Sequence, residues 1–100
     1  MANALLTLIM PNDVAQTVED LLLSHPDLST GFTTSAADGH GSVVPLAEAH
    51  ELVAGHAPRT VIRTAGPEAS MRDVLALIKR ELPRASIFFW LVPLIDMGKL

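Results

Sequence analysis

The side chains best equipped for chemistry are four histidines, three of which gather near the middle of the chain. His40, His50 and His56 share one stretch with Asp38, Glu48 and Glu51. Neutral imidazole and carboxylate are ordinary ligands of zinc, nickel or copper. His40, His50, His56 and Glu51 are therefore the candidate metal ligands, for a divalent or monovalent transition-metal ion. Their spacing matches no known metal motif: His50-Glu51 opens an H-E-x-x-H pattern, but Ala54 stands where its second histidine belongs. Surface-loop histidines also occur commonly without a metal. His25, beside Pro26, reads as a helix-end residue, where a partial positive charge suits the helix dipole.

Other chemistries find less support. Gly39-His40-Gly41 has the composition of a phosphate-binding turn but lacks both the G-x-G-x-x-G and the G-x-x-x-x-G-K-[ST] spacing, and a plain turn explains it. Ser35, Ser42 and Ser70 sit in no G-x-S-x-G elbow. Glu19 and Asp20 are neighbours on a solvated helix face, not an acid–base pair. With no cysteine there is no disulfide framework and no thiolate chemistry. Phe88, Phe89 and Trp90 are consecutive, and on a strand three in a row cannot share one face. Core and subunit contact account for them better than a nucleobase platform does. No catalytic set emerges, and a binding or regulatory module is expected rather than an enzyme.

The elements that must position these residues follow from periodicity. Leu5–Met10 is a short apolar run ended by Pro11, as in a buried first strand. Pro11-Asn12-Asp13 starts a helix, with Asp13 and Gln16 spaced as a capping box, and Val14, Val18, Leu21 and Leu22 form its apolar stripe. His25-Pro26-Asp27 stops it. Ser29–Ser35, rich in β-branched and hydroxyl residues, predicts a second strand. Ala36 to Ser42 reads as irregular, Pro45–Val53 as a short helix, and Arg59–Thr64 as a third strand, which leaves a long loop (36–58) between strands two and three. Gly66-Pro67-Glu68 opens a second helix, whose stripe is Met71, Val74, Leu75, Ile78 and Leu82 and which Pro83 ends. Ile87–Val92 is a wholly apolar fourth strand. The order predicts an α+β, ferredoxin-like βαββαβ sandwich in one domain, residues 1–100.

The fourth strand also bears on assembly. A half-buried strand alternates apolar and polar residues, and this one does not. Helices cover one face of such a sheet, so the other face calls for a partner, most simply another copy. Charge is divided along the chain: residues 1–58 carry seven acids and no Lys or Arg, while 59–100 carry all seven bases and four acids, giving −7 and +3 within the net −4. An acidic domain with scattered bases suits no duplex nucleic acid. The apolar runs Leu5–Met10, Leu21–Leu23 and Ile87–Ile95 fall short of the roughly 20 residues that span a bilayer, and the first ten residues lack a basic signal-peptide region. A cytoplasmic protein with no membrane insertion is expected.

The order of elements, with a glycine-rich start to the long loop, resembles the PII-like signalling proteins and the related divalent-cation-tolerance proteins. More narrowly, Leu46-x-Glu48, Val53-x-Gly55-His56 and Phe89-Trp90-x-Val92-Pro93 with Gly98 are similar to a small proteobacterial family. Members of that family are commonly encoded beside heavy-metal cation efflux systems. The resemblance implies a homotrimer with the sheets facing inward and the long loop projecting as a sensing or docking arm. It implies a ligand in the cleft between subunits near the base of that loop, involving Gly39, Gly41 and Arg59. One departure stands out: ATP-binding PII proteins carry a glycine-rich phosphate loop between the second helix and fourth strand. Here that link is Leu82-Pro83-Arg84-Ala85-Ser86, with no glycine, and only Arg84 is placed to meet a phosphate. Three roles follow: a trimeric sensor or accessory protein in metal-ion efflux and homeostasis, an adenine-nucleotide or small-anion regulator, and a docking protein for a membrane transport protein.

Overall fold

The structure, a computed structural model, describes residues 2–40 and 57–100. Its elements are β1 (Asn3–Pro11), α1 (Asn12–Leu23), β2 (Thr33–Gly39), β3 (Ala57–Pro67), α2 (Glu68–Glu81) and β4 (Phe88–Leu94). They form a four-stranded antiparallel sheet in the order β2-β3-β1-β4, the ferredoxin-like α+β arrangement. Strand pairing fixes which residues share a face, because side chains alternate along each strand. Ala4, Leu6, Leu8 and Met10 of β1 point toward the helices and join Val18 and Leu22 of α1, Ile62 of β3, and Met71, Val74 and Ile78 of α2 in the core. Both helices pack over the two central strands, β1 and β3.

Several boundaries differ from the sequence expectation, each for a local reason. The helix begins at Asn12 with Pro11 as its N-cap and no side-chain cap, because strand turns into helix with no intervening residue. Asp13 thus lies inside the first turn, where its charge still suits the dipole. Gln16, freed from the capping box, donates from Nε2 to Asp20 Oδ1 at 3.0 Å. At the other end His25 behaves as expected, its Nδ1 donating to the Leu21 carbonyl at 2.9 Å.

The second strand lies at Thr33–Gly39, four residues beyond its expected start. Leu28 and Ser29 donate their backbone N–H to the His25 carbonyl, so the chain there is a turn. The Ser29 and Thr64 hydroxyls lie 2.8 Å apart, and Thr64 Oγ1 donates to the Gly31 carbonyl at 2.8 Å. This relay ties the turn to β3 in place of a ladder, while Ala36–Gly39 pair with β3. Thr64 is 2% exposed, so the relay is a buried one. The third strand is longer than Arg59–Thr64, with Pro58 tolerated near its start, where it faces Asp38 of β2 and no longer pairs with β1.

In α2, Leu77 is buried and belongs to no expected stripe, while Leu75 and Leu82 are partly buried against the core. The fourth strand runs on through Pro93, which an edge strand can hold because its missing N–H is not needed there. The expected short helix at Pro45–Val53 lies outside the described residues, as does most of the long loop.

Candidate functional site

Among the described residues no helix packs on the sheet's second face. Register places Leu5, Thr7 and Ile9 of β1 on it, with Arg59, Val61, Arg63 and Ala65 of β3, Thr33, Ser35 and Ala37 of β2, and Phe88, Trp90 and Val92 of β4. Phe88 and Trp90 meet edge to face with ring centroids 6.2 Å apart. They remain 49% and 45% exposed, which bares an apolar strip along one edge of this face. Phe89 lies on the helix side, as the alternation of a strand requires.

The ionisable strand residues on the open face are Arg59 and Arg63, and the described strands bring no acid there; Asp38 belongs to the helix side, opposite Pro58. Arg63 approaches Ser35 Oγ at 3.5 Å. It also borders a cavity of about 370 Å³, shared with Thr30, Thr33, Leu5, Ala65 and Met97. Beside Arg63, Thr7 is 1% exposed and its hydroxyl has no hydrogen-bond partner. A buried hydroxyl in that state costs stability until something meets it.

The candidate ligand residues fall as follows. Gly39 is the last residue of β2 and faces Ala57, the first of β3, so residues 40–56 leave and rejoin the sheet at one point. Arg59 is 7% exposed, stands opposite Ala37 and Pro11, and donates from Nη1 to the Pro58 carbonyl at 2.9 Å. His40 follows β2 and is exposed. Arg84 is exposed in the link between α2 and β4. Gly41, His50, Glu51 and His56 lie outside the described residues. Among the described residues no three His, Asp or Glu side chains gather to hold a metal ion.

Topology still relates these positions. The end of β2, the start of β3, the end of β1 and the start of β4 all lie at one end of the sheet, since Arg59 pairs with Pro11 and Phe88 with Ile9. Gly39 and Arg59 are thus neighbours, whereas Arg84 leads into the opposite edge strand. Three strand spacings, roughly 14 Å, separate the two edges. Within one chain the candidate anion ligands share an end of the sheet without converging. Sequence reasoning missed Arg63 and Thr7; Arg63 was visible as a charge in a strand with mixed faces, but Thr7 gave no signal.

Comparison with solved structures supports the fold. A DUF3240 family protein from Shewanella baltica OS155 superposes with a TM-score of 0.70 at 22% identity, over 100% of this chain and 98% of that one. CPII, a nitrogen regulatory PII-like protein from Thiomonas intermedia K12 bound to ADP, AMP and bicarbonate, gives 0.72 at 19% identity, over 100% and 97%. The same protein bound to ADP, AMP and acetate gives 0.73 at 18%, over 98% and 90%. The chain therefore has the fold of PII-like proteins. No curated protein matches it. No helix among the described residues is long and apolar enough to cross a membrane. The model of a family described as protein of unknown function, DUF3240, matches residues 1–100, and the chain belongs to that family.

Proposed function

We propose that this chain is a PII-like regulatory module, not an enzyme, that self-associates through the open sheet face as a trimer and binds an adenine nucleotide or similar small anion between copies. The observation that carries this is the placement of Gly39 on the edge strand β2 and Arg59 beside it on β3, with Arg84 leading into the opposite edge strand, all at the same end of the sheet. In a closed ring of copies, the β2 edge of one meets the α2–β4 link of the next, and the separated cations then flank a single cleft. The nucleotides held by the PII-like CPII support the ligand class. The exposed aromatic strip on β4 supports the association.

Calorimetry with ADP, AMP and ATP, beside light scattering of the purified protein, tests this. Binding at one nucleotide per chain is expected, lost in both Arg59→Ala and Arg84→Ala. Mixing the two variants after subunit exchange should restore about a quarter of the sites, because each inter-copy cleft needs one intact arginine from each neighbour. A monomer that binds nucleotide, or mixtures that restore nothing while each variant keeps its assembly, would refute the shared cleft.

His40 supports a second proposal. It follows β2 directly and opens the segment that carries His50, Glu51 and His56. A transition-metal ion held there would make the module an accessory of metal-ion efflux. Titration of chelator-treated protein with zinc, copper, nickel and cobalt separates the two, since metal binding through histidine is lost as the pH falls and imidazole protonates. Silence with both metals and nucleotides would leave docking to a transport protein as the remaining role.

A further inference from the structure

The helix-covered side of the sheet contains a second concavity, behind the α2–β4 link. A cavity of about 410 Å³ lies between the C-terminal half of α2, the link that follows it, and the edge strand β4. Leu8, Ile78, Leu82, Ile87 and Phe89 line it, and Lys79 is the ionisable residue at its wall. This volume lies in the range of small-molecule sites, about 300–1,000 Å³.

Two features distinguish it from loose packing. First, the link that forms one wall is held by its own backbone. Leu82 N–H donates to the Ile78 carbonyl at 2.7 Å, Ala85 N–H to Leu82 at 3.2 Å and Ile87 N–H to Ala85 at 3.0 Å. A wall with its hydrogen bonds made does not collapse readily inward. Second, the helices pack over β1 and β3, so Phe89 at the far edge stays 51% exposed although it faces the helix layer. Apolar surface is thus left uncovered beside a preformed hollow, with one ammonium group at its wall.

We infer that this cavity binds an amphipathic monoanion, a medium-chain carboxylate, with its chain against Leu8, Ile78, Leu82, Ile87 and Phe89 and its headgroup at Lys79. The charge selects the class. Beside a neutral apolar molecule the exposed Lys79 ammonium keeps only its water, a cationic ligand meets like charge, and a carboxylate pairs with it. The site shares the α2–β4 link with the proposed inter-copy cleft, so it is probed in the absence of nucleotide.

Decanoate, decanol and decyltrimethylammonium, each below its micellar concentration, are the probes for calorimetry on the intact protein. Saturable binding of one decanoate per chain is expected, with decanol up to about fivefold weaker and the cation weaker still. Lys79→Gln should remove the preference of decanoate over decanol while leaving decanol affinity unchanged. Ala76→Phe, at an exposed helix position lining the same cavity, should abolish binding of all three with the thermal midpoint and assembly state retained. No saturable binding to the parent protein would overturn the inference. Undiminished decanoate binding in Ala76→Phe would overturn it too, by placing the amphiphile on the bare face of β4 or elsewhere.

Discussion

The two edge strands of this sheet occupy equivalent positions and have opposite character. β2 is Thr-Thr-Ser-Ala-Ala-Asp-Gly and β4 is Phe-Phe-Trp-Leu-Val-Pro-Leu. Each pairs with a single neighbour, and the helices pack over the central strands between them. β2 exposes hydroxyls and small residues, which water solvates at little cost. β4 exposes aromatic rings on the open face and another ring on the helix side. Edge strands are ordinarily protected by charge, proline or brevity. β4 has Pro93 near its end and no charge at all. The contrast is between an edge whose exposed side chains water solvates and an edge that leaves aromatic rings bare.

Trp90 and Thr33 make the comparison sharp, because both lie in one row across the open face, Thr33–Arg63–Thr7–Trp90. In the proposed assembly, a carboxylate at the β4 end of the row is buried against another copy with no counter-charge, a penalty of several kcal/mol. Trp90→Asp should therefore yield a folded monomer by light scattering and circular dichroism. A carboxylate at the β2 end falls beside Arg63 instead. Thr33→Asp should weaken association by about tenfold at most, since such exposed pairs contribute little in either direction. Equal dissociation by both variants would show that the assembly surface does not favour β4.

Between these effects and the smallest lies the relay that sets where β2 begins. Thr64→Val removes the hydroxyl that joins Ser29 to the Gly31 carbonyl and leaves that carbonyl with the weaker Ser29 contact at 3.2 Å. A loss of about 1–3 kcal/mol in urea-unfolding free energy is expected. Hydrogen-exchange protection should fall in Thr33–Gly39 more than in β4, whose pairing with β1 is untouched. A loss spread evenly over both edges would mean that the relay supports the core and not the β2 edge.

That relay also explains what the sequence conceals. Apolar periodicity located β1, α2 and β4 closely, because burial of Leu6, Leu8, Met71, Val74 and Ile78 is a strong, regular signal. β2 was displaced by four residues because its composition suits strand and turn alike. The choice between them is made by Thr64, which is remote in sequence but adjacent in space. The capping box failed for a related reason: Asp13 and Gln16 had the right spacing, but Pro11 already ends β1 and starts the helix. The candidate anion ligands were legible as residue types. Their division between opposite edges was not, because strand order is a long-range property.

Thr7 separates folding from assembly by the smallest change in the molecule. It stands at the centre of the row, 1% exposed, between Arg63 and Trp90, and its hydroxyl has no partner. Thr7→Val keeps the shape and the β-branching and removes the desolvated hydroxyl. Folding of the isolated chain should then be unchanged or favoured by up to about 1 kcal/mol, since an unpaired buried polar group is lost and no bond is broken. Assembly should not respond, because a hydroxyl without accessible surface is out of a second copy's reach. The thermal midpoint of Thr7→Val measured at low and high protein concentration distinguishes these contributions, because association stabilises the folded state by mass action. A midpoint above the parent's by the same amount at both concentrations is the expected result. A midpoint above it at low concentration and below it at high concentration would mean that assembly opens this face and brings a second copy to Thr7.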